Sequence, residues 1–198
     1  MSAAIPEETI DLAGLRVVAV GERREAQAVV VLLHGFGMRP EDLSPFAHSL
    51  GLPAWFLFPE GPLEAAIGGR AWWHIDPVAR EQALAKGPRD FSVQDPPDLP
   101  RAREHLGRLL DQVTELAGGR PVVIGGFSQG GMLTCDTFLR RPRPVAGIAL
   151  LSASRIAFHA WPPLLEAGAV KGVPILVSHG EADADLAFSA GLALKDCL

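Results

Sequence analysis

The sequence is poor in cysteine and has neither a long basic run nor a long apolar run. Only Cys135 and Cys197 occur among 198 residues, and neither belongs to a CxxC pair, which argues against a zinc site or a disulfide framework. Lysine and arginine number 18 against 23 acidic residues, a formal net charge of −5. Because the basic residues form no run, we do not expect a nucleic-acid partner. No apolar segment reaches the roughly 18 to 20 residues of a membrane span, so we expect no stable membrane insertion.

The composition favours a single cytoplasmic domain. Residues 1–11 carry three acidic residues and no basic one, and they lack the charged start and apolar centre of a signal peptide. Apolar residues make up 48% of the sequence, enough for a sizeable core at this length. The 21 glycines and 17 prolines separate apolar runs rather than forming one tract. We therefore expect one loop-rich domain over residues 1–198, in a reducing compartment.

Short β-rich runs alternate with helix-like segments along the chain. The predicted strands are a hairpin within residues 9–20, then 28–33, 54–58, 122–125, 145–151 and 173–178. Predicted helices cover 40–50, 98–117 and 186–198; the second is the clearest, because Asp98 can cap it and an apolar stripe follows at helical spacing. Strands separated by helices indicate βαβ units, and therefore a largely parallel sheet with helices on both faces.

Residues 59–97 form the irregular part of the sequence. They contain Trp72-Trp73-His74 together with several prolines and glycines. A structureless stretch of this length inside a compact domain is usually a lid or a binding loop. A decorated surface connection is the alternative, although two adjacent tryptophans are costly to leave exposed without a use.

The pentapeptide at residues 126–130, Gly-Phe-Ser-Gln-Gly, has the form G-x-S-x-G. It follows a predicted strand and precedes a helix-compatible stretch, which is the context of a nucleophile elbow. The glycines allow the backbone to turn tightly, so that the hydroxyl of Ser128 stands exposed at the end of a sheet. The motif therefore predicts Ser128 as the nucleophile of an acyl-transfer reaction.

Two further loops follow predicted strands, where open α/β sheets carry their sites. The first, His34-Gly35-Phe36-Gly37, is glycine-rich and can point backbone N–H groups at the oxyanion of a tetrahedral intermediate. We expect one donor from Phe36 and the second from Gln129, the residue after the nucleophile. An ordinary strand-to-helix turn is the alternative for this loop.

The second loop, at residues 179–183, begins with histidine and ends with Asp183. An acid at this place would orient a catalytic histidine, and serine followed by the acid is the chain order expected here. We favour Asp183 for this role, while Glu181 and Asp185 remain open as alternatives.

Together, the segments LLHGFG, GGFSQGG and SHGEAD resemble the phospholipase/carboxylesterase family of α/β-hydrolases, which includes bacterial carboxylesterases and acyl-protein thioesterases. The resemblance runs from about residue 29 to the C-terminus. It implies Ser128 as nucleophile, Asp183 as the acid of the triad, and Phe36 and Gln129 as oxyanion donors. Met38 and Trp73 would then line the acyl or alcohol pocket. The family's chemistry requires no cofactor and no metal.

The sequence departs from the family pattern at the catalytic histidine. In the family this residue follows one more helix and one more strand after the acid, whereas 15 residues follow Asp183 here. We therefore expect an α/β-hydrolase fold, with a mostly parallel sheet, that lacks the last strand and the histidine loop. The expected consequence is a C-terminally truncated form, or a strand at 173–178 whose bare edge is covered by a second copy or segment.

Six histidines are available as substitutes for the missing base. They are His34, His48, His74, His105, His159 and His179. His34 and His179 begin loops in which a histidine shapes the turn. His48 and His105 are expected on helix surfaces. His74 and His159 could approach a cleft, although a lone histidine near a site is more often a satisfied polar group.

The sequence thus favours a serine carboxylesterase acting on small to medium acyl esters, with lysophospholipids or acyl thioesters as alternative substrates. Its expected partners are a small-molecule acyl ester and, through the strand at 173–178, a second copy of the chain. The competing hypothesis is a binding protein that has kept the pocket and lost the base. Without a base the serine is a poor nucleophile at neutral pH.

Overall fold

The computed structural model describes residues 5–198, as one seven-stranded sheet with helices and a small hairpin around it. The strands are β1 (Glu7–Leu12), β2 (Leu15–Val20), β3 (Ala28–Leu33), β4 (Ala54–Pro59), β5 (Leu63–Glu64), β6 (Arg70–Ala71), β7 (Val122–Phe127), β8 (Gly147–Leu151) and β9 (Ile175–Ser178). The α-helices are α1 (Pro40–Leu43), α2 (Pro45–Leu50), α3 (Pro77–Leu84), α4 (Leu99–Ala117), α5 (Gln129–Arg140), α6 (Pro162–Glu166) and α7 (Phe188–Cys197).

The order of strands across the sheet is β1-β2-β4-β3-β7-β8-β9. The neighbouring strands β4, β3, β7, β8 and β9 pair in parallel, and β2 runs antiparallel to both of its neighbours. This confirms the predicted hairpin within residues 9–20 and the mostly parallel sheet. Because the strands are parallel, the loops after β3, β7, β8 and β9 meet at the same edge of the sheet.

Apolar side chains on the two faces of the sheet form two cores. On β3, Val29, Val31 and Leu33 belong to the larger core, which also contains the apolar stripe of α4, while Val30 and Leu32 belong to the smaller one. This alternation follows from the period of two in a strand, and burial on both faces explains why β3 is apolar throughout. Among the described residues, no helix is long and apolar enough to cross a bilayer.

Three predictions about local structure need correction. Residues 40–50 form two short helices, because Pro45 starts a new helix with its N-cap at Ser44. Residues 59–97 are not structureless: they contain the β5–β6 hairpin and helix α3, which Asp76 caps by accepting a hydrogen bond from the N–H of Ala79. The side chain of Asp98 does not cap α4.

Asp98 instead binds the neighbouring segment. Its Oδ2 atom accepts hydrogen bonds from the backbone N–H of His74 at 3.1 Å and from His74 Nδ1 at 2.8 Å. These bonds hold the pKa of Asp98 below its ordinary value. Asp98 therefore makes a tertiary contact with His74 instead of the N-cap hydrogen bond that the sequence predicted.

The sheet ends at β9, which pairs with β8 alone among the described strands. Helix α7 packs against β9, and Leu176 on this strand is 59% exposed. The predicted open edge is therefore present in the part of the chain that the structure describes.

Candidate active site

Ser128 lies on the sharp turn between β7 and α5. Its backbone has φ of 50° and ψ of −115°, a conformation that a residue with a side chain rarely adopts. The backbone N–H of Ser128 donates to the carbonyl of Leu151 on β8 at 2.8 Å. The hydroxyl does not cap α5, and so it is free to face the cavity described below. These features are those of a strained nucleophile elbow.

The glycines around Ser128 are required by close backbone contacts. A Cβ atom at Gly126 would lie 2.5 Å from the carbonyl carbon of Gly130, and one at Gly130 would lie 2.5 Å from the carbonyl oxygen of Leu33. Side chains cannot be accommodated at such distances, so the pattern G-x-S-x-G follows from packing. The second contact also brings the elbow against the end of β3.

The loop after β3 contacts the elbow directly. A Cβ atom at Gly35 would lie 3.3 Å from the Cβ of Ser128, which shows how closely the two backbones approach. His34 shapes this loop: its Nε2 accepts a hydrogen bond from the N–H of Gly61 at 2.8 Å, and its Nδ1 lies 2.7 Å from the carbonyl of Gly35. Burial lowers the pKa of His34, which fits a neutral ring.

One cavity of about 230 Å³ is lined by the site residues that the sequence predicted. Its lining includes all six predicted site residues, namely Phe36, Met38, Trp73, Ser128, Gln129 and Asp183. They come from the loops after β3, β7 and β9 and from the segment 59–97. Their assigned roles remain predictions, and the shared cavity brings the six residues together.

Asp183 is held by the backbone of its own loop. Its Oδ1 atom accepts hydrogen bonds from the N–H groups of Asp185 and Leu186, each at 2.9 Å. Its Oδ2 atom lies 3.7 Å from Nε2 of His179, too far for a hydrogen bond. One carboxylate oxygen is therefore fixed, and the other is available to orient a further donor.

Asp185 contacts two arginines in the same cavity, Arg80 from α3 and Arg89. The backbone reinforces this link, because Arg89 N–H donates to the carbonyl of Asp185 at 2.9 Å. Desolvation and the charge of Arg80 lower the pKa of Arg89. Of the two alternative acids, Asp185 is thus engaged in ion pairs, whereas Glu181 is exposed.

No histidine within residues 5–198 lines this cavity. His74 and His159 are mostly exposed and lie beside Asp98 and Asp95, and neither lines the cavity at Ser128. His74 does line a neighbouring cleft, which shares Trp73 with that cavity. His179 does not line the cavity either: its Nε2 lies 3.1 Å from the carbonyl of Leu186, and its Nδ1 faces the backbone of α7 at Gly191.

Sequence reasoning missed several lining residues. These are Ile75, Arg80, Arg89, Phe91, Phe127, Met132, Ser152 and Leu186, whereas Asp185 was considered only as an alternative acid. Four of them come from the segment 59–97, where no local pattern distinguishes a cavity residue from a surface one. Phe127, Met132 and Ser152 adjoin the elbow or follow β8, and their position at the carboxyl edge of the sheet was the available signal. Among the described residues, no group of three or more His, Cys, Asp or Glu side chains could hold a metal ion.

The fold and the strained serine turn define an α/β-hydrolase. The chain belongs to the phospholipase/carboxylesterase family, whose sequence profile matches residues 15–198. It is 32% identical over 145 residues to a probable carboxylesterase, SOBER1-like, of Arabidopsis thaliana, covering 72% of this chain and 45% of the relative. It is 28% identical over 185 residues to a probable carboxylesterase of Oryza sativa subsp. japonica, covering 84% and 63%.

A shorter match joins the chain to acyl-protein thioesterase 1 of Mycosarcoma maydis, with 36% identity over 83 residues, 39% of this chain and 32% of the relative. The chain thus spans less than two thirds of each of these three curated relatives.

Solved structures show the same fold. A variant of Arabidopsis thaliana SOBER1 superposes with a TM-score of 0.67 at 28% identity, covering 86% of this chain and 82% of the other. A phospholipase/carboxylesterase from Dyadobacter fermentans gives 0.62 at 20% identity, covering 100% and 83%, and this second likeness concerns the fold alone.

Proposed function

We propose that this chain carries the site of a serine-dependent carboxylic ester hydrolase that works through an acyl-enzyme on Ser128. One observation carries the proposal: the nucleophile, both oxyanion candidates and the acid line a single cavity. The cavity lies at the carboxyl edge of a parallel sheet, where α/β proteins place their chemistry.

In the proposed reaction, Oγ of Ser128 attacks the ester carbonyl carbon and gives its proton to a base. The resulting oxyanion accepts hydrogen bonds from the backbone N–H groups of Phe36 and Gln129. Collapse of the intermediate breaks the bond to the leaving oxygen or sulfur, which takes up the proton, and leaves an acyl group on Ser128. Water then attacks the acyl carbon in the same way and releases the acid.

The base is an imidazole that bridges Ser128 and the free Oδ2 atom of Asp183. Residues 5–198 place no histidine in that position. Removing the base from a triad typically leaves about 10³ to 10⁴ of rate enhancement over water, from the oxyanion hole and binding. We therefore propose low intrinsic turnover for the chain as it stands.

The substrate class follows from the wall of the cavity. Met38 and Trp73, with Ile75 and Phe91, provide an apolar surface that suits a small to medium acyl chain. An ester, a lysophospholipid and an acyl thioester share the carbonyl chemistry, and the relatives' names include both carboxylesterase and thioesterase. We propose the oxygen ester as the principal substrate.

Chemical rescue tests this proposal. With imidazole present, a fluorophosphonate probe should label Ser128, as mapped by mass spectrometry, and the Ser128→Ala variant should not be labelled. Hydrolysis of p-nitrophenyl butyrate should rise with added imidazole and saturate, because in this proposal the added imidazole takes the place of the absent base. Subtracting the Ser128→Ala rate removes the reaction of imidazole with the ester in solution. An identical imidazole response in both proteins would refute the proposal.

The absence of a histidine from the cavity lining within residues 5–198 favours a second candidate, a protein that binds acyl ligands without turning them over. The two candidates differ in one measurement. A pure binding protein would take up a fatty acid or ester, seen as a change in tryptophan fluorescence near Trp73, while Ser128 remained unlabelled and imidazole had no effect.

A further inference from the structure

Five arginines line a second cleft, of about 330 Å³, between α4 and the end of α5. They are Arg103, Arg108, Arg140, Arg141 and Arg143, and the other lining residues are Glu104, Gly107 and Thr137. The chain as a whole carries a net charge of −5, so this concentration of positive charge runs against the composition. Helix α5 is 12 residues long, which separates its Arg140 end from the Ser128 end by about 18 Å. The cleft is therefore distinct from the cavity at Ser128.

The positive charge of the cleft is only partly neutralised. Asp136 pairs with Arg103 and Arg140, and Asp111 pairs with Arg141 and Arg143. Arg108 has no acidic partner within residues 5–198, and its side-chain hydrogen bond goes to His105 at 3.0 Å. Counting Glu104 as a third acid, the five arginines leave two positive charges in excess. Desolvation and the charges of Arg108 and Arg101 also lower the pKa of His105, which keeps that ring neutral.

One arginine forms a fixed floor for the cleft. The side chain of Arg143 is only 8% exposed. Its guanidinium donates to Oδ1 of Asp111 at 2.9 and 3.1 Å and to the carbonyl of Gly107 at 3.0 Å. By contrast, Arg141 is 67% exposed and can turn toward a ligand. Because Arg143 is already held in place, only the exposed arginines would have to be ordered when an anion binds, and this lowers the entropy cost of binding.

Two donors at the cleft have no partner. Oγ1 of Thr137 and Nη2 of Arg103 are buried and make no hydrogen bond among the described residues. Buried polar groups almost always have a partner. The side chain of Arg103 is 18% exposed, and its Nη2 atom would gain a partner if that side chain turned toward a ligand rich in acceptor oxygens. The planar fork of arginine matches phosphate geometry in particular.

We propose that the cleft between α4 and α5 binds a soluble phosphate monoester or free phosphate, whose dianion matches the two excess positive charges. The concave shape suits a small molecule. The proposal stands independently of the reaction at Ser128.

Isothermal titration of the full chain with inorganic phosphate, and then with phenyl phosphate, at constant ionic strength and pH ~7.5 tests this inference, because both ligands are then largely dianionic. We expect saturable binding at one site per chain. The double variant Arg108→Gln/Arg141→Gln removes two exposed cations and should weaken binding at least about tenfold. The matched variant Arg24→Gln/Lys171→Gln removes the same charge outside the cleft and should leave the affinity within about twofold.

Two further measurements test where the phosphate binds and whether it comes from a lipid. Arg80→Gln alters the cavity at Ser128 and should leave phosphate binding unchanged; a loss there would move the site to that cavity and overturn the inference. Flotation with vesicles of phosphatidylcholine, with and without phosphatidic acid, tests a lipid source. Binding to phosphatidic acid vesicles without binding of soluble phosphate would also overturn it, as would equal weakening by both double variants or no saturation up to about 10 mM.

Discussion

The Oε1 atom of Gln129 accepts a hydrogen bond from the backbone N–H of Trp72 at 2.8 Å. The amide group of the same side chain donates to the carbonyl of Trp73 at 2.9 Å, and Gln129 is 2% exposed. Gln129, the residue after Ser128, therefore has two separable parts. Its backbone N–H is the proposed oxyanion donor, and its side chain fastens the tryptophan pair of the segment 59–97 to the elbow.

The variant Gln129→Ala should lower the free energy of unfolding by about 2 to 6 kcal/mol, because two buried backbone groups lose their partners at about 1 to 3 kcal/mol each. Urea denaturation followed by tryptophan fluorescence measures this change. Gln82 on α3 is exposed, and Gln82→Ala is the control, expected to change stability by less than about 0.5 kcal/mol. Equal stability of the two variants would show that the contact does not hold the segment.

The elbow and the parallel strands could be predicted because their signals are local. Gly126, Ser128 and Gly130 have backbone requirements that few other residues satisfy, and a parallel strand is recognised by its continuous apolar run. The arginines of the cavity could not be predicted. Arg89 reaches it because its backbone pairs with Asp185, nearly a hundred residues later, and no nearby pattern records that contact.

Replacing Ser128 should relieve backbone strain only when the replacement is glycine. Ser128 has φ of 50°, and such a conformation costs about 1 to 3 kcal/mol, against about 0.4 to 1 kcal/mol for the added freedom of glycine in the unfolded chain. Ser128→Gly should therefore be about 1 kcal/mol more stable than Ser128→Ala in urea denaturation.

At Thr114, an exposed position inside α4, we expect the opposite order of stability for the glycine and alanine variants. There Thr114→Gly should be about 1 kcal/mol less stable than Thr114→Ala, because glycine is a poor helix former. If alanine is also the better residue at position 128, the turn is not strained.

Asp185 keeps two arginines together, and its neutralisation should separate them. In Asp185→Asn, Arg80 and Arg89 would face each other without a counter-ion. A fully buried pair broken in this way costs about 3 to 5 kcal/mol; because Asp185 is 40% exposed, we expect about 1 to 2 kcal/mol. Chemical denaturation at low and high salt measures the loss, which should be larger at low salt.

Asp196→Asn is the matched control for the charge change. Asp196 is 73% exposed and lies 4.0 Å from Lys195, so its loss should alter stability by less than about 0.5 kcal/mol. A comparable loss in both variants would assign the effect to net charge rather than to the arginine pair.

His34 should make the stability depend on pH near neutrality. Its side chain is fully buried, and burial lowers its pKa from the ordinary value of 6.5. The unfolded chain therefore binds this proton more readily than the folded chain. The stabilisation is fully present above pH about 6.5 and is lost as the pH falls below that value toward the folded pKa, with a slope of at most about 1.4 kcal/mol per pH unit.

Urea denaturation between pH ~7.5 and ~5.5 measures that slope, in a range where carboxylates change little. The variant His34→Gln keeps an acceptor for the N–H of Gly61 and should flatten the slope. His48→Gln alters a histidine that is 43% exposed and should leave the slope of stability against pH unchanged. Unchanged slopes in both variants would contradict the assignment to His34.

The open edge of β9 should support self-association. Its outer backbone groups have no partner among the described strands, and Leu176 on this strand is 59% exposed. An unpaired apolar edge is a template for a strand of another chain, and lysine on an edge strand is a common device that prevents such pairing. We propose that a second copy pairs along β9, so that Leu176→Lys shifts the chain toward the monomer. Light scattering after size exclusion, over a range of concentrations, measures the mass.

Leu192→Lys, at a 42% exposed position on α7, should leave the association as it was. A chain that stays monomeric at every concentration would refute pairing through β9, and equal dissociation by both lysines would place the contact elsewhere.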